Sequence, residues 1–135
     1  MELIIHKDKT LKQLQTEFTD SYPFLKIEFY KKKHGEGVNT PNSQIINNEL
    51  KIGQVQDIAE NGKINIDGNT TVADFEKAFS RDFGLSVQVF RKSFHIWIQT
   101  SKTDTWTLDR QNEMGKQINE ELEDTSEPED YHEQL

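Results

Sequence analysis

The chain reads as an α+β protein, a two-layer ferredoxin-like sandwich made from a duplicated βαβ unit, with an extra C-terminal hairpin strand and helix. Three observations predict this: two stretches that repeat each other, an apolar spacing that switches from alternation to helical and back within each, and matched stop signals. Residues 3–32 (LIIHKDKTLKQLQTEFTDSYPFLKIEFYKK) echo residues 64–92 (INIDGNTTVADFEKAFSRDFGLSVQVFRK). Leu3, Ile5, Leu11, Leu14, Phe18 and Tyr22 correspond to Ile64, Ile66, Val72, Phe75, Phe79 and Phe83 at an offset of 61. After one residue of slippage, Leu25, Ile27, Phe29 and Tyr30 correspond to Leu85, Val87, Val89 and Phe90 at an offset of 60.

Each unit opens on a short strand, Leu3 and Ile5 in one copy and Ile64 and Ile66 in the other. The spacing then becomes three, four, four, which is one face of a helix. Thr10 and Thr71 precede the two stripes, with Gln13 and Asp74 three residues on, so a hydroxyl can satisfy an orphan amide at each helix start. Pro23 and Gly84 stop the helices at equivalent places. Alternation resumes in Leu25, Ile27 and Phe29 and in Leu85, Val87 and Val89. Two strand–helix–strand units with both helices on one sheet face make a split βαβ sandwich; a doubly wound sheet would need more helices to cover both faces.

The second unit continues into a hairpin in which Phe94, Ile96 and Ile98 alternate with His95, Trp97 and Gln99. A two-residue turn falls at Lys92-Ser93 or at Ser93-Phe94. Either register leaves Val87, Val89, Ile96 and Ile98 on the helix side and Phe90, His95 and Trp97 on the other. Tyr30 holds the place of Phe90 in the first unit. Residues 34–61 join the units as an inserted connection, with a loop from Gly35 to Ser43 and a short helix near Gly53 to Glu60. A last helix spans Thr107 to Leu122.

Charge divides the chain. From Gln117 onward there are eight acids and no Lys or Arg, leaving sixteen acids against sixteen bases in residues 1–116, so the net charge of −8 belongs to the end of the chain. We assign residues 1–122 to one α+β domain and 123–135 to a disordered acidic tail, because a run of like charges buries too little apolar surface to offset its ordering entropy. The N-terminus has too short an apolar run for a signal peptide and no segment is long enough to span a membrane, so a cytoplasmic protein is expected.

No catalytic signature emerges. The chain has no Cys, and its histidines at 6, 34, 95 and 132 show no metal-ligand spacing. HGEG at 34–37 lacks the Lys and Ser/Thr of a phosphate loop, and there is no G-x-S-x-G nucleophile elbow. No cofactor and no metal are implied. The candidate site is the sheet face turned away from the helices, where Tyr30, Phe90, His95 and Trp97 place large rings on a surface that alternation would otherwise make polar. The competing expectation is that the last helix folds back so that Trp106, Leu108 and Ile118 cover Trp97.

The run GLSVQVFRKS (84–93), with Trp97 and then TDTWTLDRQNEMG (103–115), resembles a motif of small uncharacterised bacterial proteins of unknown function. The likeness covers Thr71 to Gly115 and implies no activity, cofactor or catalytic residue. Its pattern carries Gly where this chain has Phe94, which implies a turn at Ser93-Phe94 and a positive φ strained by the larger residue.

The expected function is that of a protein-protein interaction or self-association module using the outer sheet face, with a protein partner or a second copy bound there. The alternative is a single-stranded nucleic-acid binder like the RNA-recognition modules, with Lys31, Lys32, Lys33, Arg91 and Lys92 gathered near Tyr30 and Phe90. The neutral body and acidic tail argue against it. A small-ligand regulatory domain shares the duplicated layout.

Overall fold

The computed structural model describes residues 1–31, 41, 44–58 and 61–125. Along the chain lie β1 (Glu2–Ile5), α1 (Leu11–Ser21), β2 (Leu25–Tyr30), α2 (Ile52–Val55), β3 (Gly62–Asn65), α3 (Val72–Phe83), β4 (Ser86–Ser93), β5 (Ile96–Gln99) and α4 (Leu108–Thr125), with a 3-10 turn at Ser101–Thr103 before α4. This is an α+β architecture with two antiparallel sheets among the described residues, β1–β3 and β2–β4–β5. The helix starts follow local chemistry. Thr10 accepts from the Gln13 amide while the Gln13 side chain accepts from the Thr10 amide, and Thr71 accepts from the Asp74 amide. Gly84 ends α3 at φ 65, a left-handed cap that a Cβ would strain.

The strand partners differ from those of a ferredoxin-like sheet. In that arrangement the two strands of each unit flank a strand of the other within one continuous sheet; here β1 still pairs with β3, but β2 pairs with β4 and the two pairs lie in separate sheets. In β1–β3 Leu3 stands opposite Ile64, and in β2–β4 Glu28 stands opposite Gln88. Both are pairs of repeat equivalents. A residue paired antiparallel with its own counterpart marks a local two-fold axis, so each sheet is crossed where the two units meet. Alternation determines which face a residue takes but not which strand lies beside it, which is why the spacing alone suggested another order.

The repeat also extends further than the apolar stripes. The Leu11 amide donates to the Leu50 carbonyl at 3.0 Å, and the Val72 amide to the Trp106 carbonyl at 3.0 Å. The Ile52 and Leu108 amides donate to Lys9 and Thr70 at 2.8 and 2.9 Å, and the Gly53 and Asp109 amides to Lys7 and Gly68 at 2.9 and 3.0 Å. Tyr30 bridges Ile45 as Phe90 pairs with Gln99. The described part of the connection expected as an insertion, and the strand and helix expected as extras, are thus counterparts at an offset of 54 to 56. The difference between them is length: α2 stops after one turn, whereas α4 runs 18 residues. Residues 32–40, including the expected loop from Gly35, lie outside the described residues, as does the tail beyond Thr125.

The β4–β5 turn is displaced from both expected positions. Ser93 pairs with Ile96 and Phe90 with Gln99, so the two-residue turn is Phe94-His95. The slip is an even number of residues, and the facing of each strand residue survives it. Phe94 has φ 65, the one positive φ of a non-glycine residue among those described.

One core joins the units. Leu11, Leu14 and Phe18 of α1 and Val72, Phe75 and Phe79 of α3 are buried with the inward residues of β1 to β4, and Ile52 and Leu108 close its two ends. Phe18 stacks on Phe75 at 5.1 Å and Phe79 meets Phe75 and Phe29 edge-on at 5.2 and 6.0 Å. Each such ring withdraws apolar surface worth roughly 1.5–3 kcal/mol.

Candidate functional site

The outer face of the β2–β4–β5 sheet carries Lys26, Glu28, Tyr30, Gln88, Phe90, Lys92 and Trp97. The four site residues expected there do not form one patch. Tyr30 sits opposite Ser86 and Phe90 opposite Lys26, four positions apart and so separated by roughly 13 Å. Tyr30 and Phe90 are also buried, at 2% and 6% exposure. Trp97 is half-buried, and Lys26 Nζ lies 5.3 Å from its ring and 5.2 Å from that of Phe90. His95 belongs to the exposed turn, its ring 4.4 Å from that of Phe94. The most exposed large apolar side chain nearby is Ile96, at 62%.

Among the described residues of the expected basic cluster, Lys31 is not brought together with Arg91 and Lys92. Lys31 follows Tyr30 at one end of β2, while Arg91 stands opposite Leu25 at the other, roughly 20 Å away. Equivalent positions on strands related by a local two-fold axis fall at opposite ends of the pair. Arg91 is drawn inward: its Nη1 donates to Gln111 Oε1 at 2.9 Å, its guanidinium lies 5.6 Å from the Trp106 ring, and burial lowers its pKa. Lys32 and Lys33 lie outside the described residues. Trp106 and Leu108 do not serve as the expected lid over Trp97. Arg110 covers the Trp106 ring at 3.8 Å, and Leu108 is in the core.

Two further features went unread in the sequence. The first is a buried polar group on α3. Glu76 Oε2 accepts from the Val89 amide at 2.9 Å, and burial, with a smaller push from Asp104, raises the carboxyl to about 8 against the lowering effect of that amide. In the first unit the equivalent pair is neutral: Asn48 Nδ2 donates to Gln15 Oε1 at 2.9 Å, and Gln15 Nε2 donates to the Ile27 carbonyl at 2.8 Å.

The second is a cleft of about 330 Å³ between the end of β2, α2 and the end of α3. Phe29, Ile46, Leu50, Val55 and Leu85 give it apolar walls, and Lys31, Gln54, Gln56 and Ser86 line the rest. The signal that could have exposed it is the continuation of the repeat through Asn48/Asp104, Leu50/Trp106 and Ile52/Leu108, which the mismatched side chains conceal. No group of three or more His, Asp or Glu among the described residues could hold a metal ion, and no described helix is long and apolar enough to cross a membrane.

Comparison with protein-family models, with curated proteins and with solved structures gives no match for this chain.

Proposed function

We propose that the protein is an interaction module that associates with a second copy of itself through the exposed tip of the β4–β5 hairpin. The observation that carries this reading is Ile96, 62% exposed at the start of β5, beside a turn whose Phe94 adopts a backbone conformation suited to glycine. A bulky side chain kept at φ 65 costs roughly 1–2 kcal/mol, and such strain on an exposed turn is a mark of recognition surfaces. Trp97, one position on, points to the opposite face of the hairpin, so the contact would rest on Ile96 and the turn and not on the Trp97 ring. A two-fold contact between identical hairpins would present the same residues from both sides. The nucleic-acid reading is weaker because Lys31 and Arg91 flank opposite ends of the sheet.

Sedimentation of the full chain over a range of concentrations tests the proposal. A dimer that Ile96→Asp converts to a folded monomer is the expected result; a parent that stays monomeric at the highest concentration overturns it.

A further inference from the structure

The cleft beside α2 lies where matched positions of the two units differ in side-chain size, above all at Leu50 and Trp106. Both units share one backbone frame, with the Leu11 and Val72 amides bonded to the Leu50 and Trp106 carbonyls, each at 3.0 Å. On that frame Lys31, Leu50, Gln54 and Val55 correspond to Arg91, Trp106, Arg110 and Gln111. The second unit has the longer or bulkier side chain at each of these four, most of all at Trp106, while Phe29 and Ile46 have the smaller Val89 and Thr100 as counterparts. There the space is filled: the Trp106 ring is flanked by Arg110 at 3.8 Å and Arg91 at 5.6 Å, Gln111 is fully buried, and Asn112 Oδ1 accepts from the Phe24 amide at 2.9 Å. Around Leu50 the same frame leaves a partly open cleft of about 330 Å³ with mixed apolar and polar lining, at the lower end of the range for ligand cavities.

We propose that this cleft binds a small planar aromatic compound of about the size of indole. The ligand's ring would take the place that Trp106 fills with its own side chain in the second unit, and Lys31 would stand beside it as Arg91 stands beside Trp106. A cation next to a π face favours an electron-rich ring over a saturated one of equal size. The apolar walls of Leu50, Val55 and Leu85 supply the desolvation and Gln54 lies at the position of Arg110. The inference concerns a different surface from the β4–β5 hairpin, so either can fail without the other.

The test is a titration of the isotope-labelled full chain with indole, followed by amide and methyl NMR shifts. Saturable shifts grouped at Leu50, Val55 and Leu85 are expected, with affinity in the millimolar range for so small a ligand. Cyclohexanol, matched in bulk but without a π face, should bind at least several-fold more weakly. Leu50→Trp, which rebuilds the second unit's filling, should abolish the shifts; Val55→Gln does the same job if the first variant fails to fold. Shifts that are absent, scattered over the surface, or undiminished in a folded variant overturn the proposal. So does binding of a tryptophan-containing tripeptide amide when indole itself does not bind, since the cleft would then read a polypeptide.

Discussion

Three side chains carry local costs that substitution should reveal. Phe94 at φ 65 sits where glycine has no Cβ penalty, so Phe94→Gly should raise stability by about 1 kcal/mol, read as a higher thermal midpoint. The Tyr30 hydroxyl is buried without a hydrogen-bond partner among the described residues, and its pKa is raised by burial and then by Glu28 and Glu76. Deleting an unsatisfied buried group removes its desolvation cost, so Tyr30→Phe should be neutral or stabilising in urea unfolding. Glu76 makes stability depend on pH. Its carboxyl titrates at about 8 in the folded protein against the ordinary 4.5, so between those values the native state holds the extra proton. The contribution is complete below about 4.5 and is lost as pH rises through 8. Glu76→Gln, which installs the residue that the first unit has at position 15, should flatten that slope and stabilise the protein at pH 8 and above; a slope unchanged in the variant would show that another group is responsible.

At the scale of elements, the helices were legible because a capping threonine, an apolar stripe and a stop residue agree with one another in each unit. α2 was placed approximately, and its single turn was hidden because one buried residue, Ile52, leaves no periodicity to read. The last helix shows the reverse problem: its stripe is thin because Gly115 and Gln111 face the protein. A Cβ at Gly115 would come within 2.8 Å of Phe24 Cβ and 3.3 Å of Arg91 Cγ, so the helix approaches β2 and β4 through its backbone. Gly115→Val should therefore push α4 away from the strands and destabilise by about 1–3 kcal/mol, measured by chemical unfolding, despite its favourable removal of a helical glycine.

Across the whole molecule, charge and symmetry act on different parts of the chain. The eight acids after Gln117 leave a neutral body, and Lys31 and Arg91 are held apart by the crossing of β2 and β4, so the full chain should not bind single-stranded RNA at physiological salt in a filter or anisotropy assay. Tight binding that weakens steeply with salt would show that the separation of these residues does not matter. The sequence by itself determined the two strand–helix–strand units, their caps and their inward faces, because spacing, capping and stop signals act over a few neighbouring residues. Tertiary structure alone decided that Leu3 meets Ile64 and Glu28 meets Gln88, that equivalent residues such as Tyr30 and Phe90 therefore stand far apart, and that one copy of a shared frame is filled by Trp106 while the other is left open beside Leu50. Those outcomes depend on contacts between residues some sixty positions apart, where side-chain volume and strand partner, not local periodicity, decide which arrangement packs.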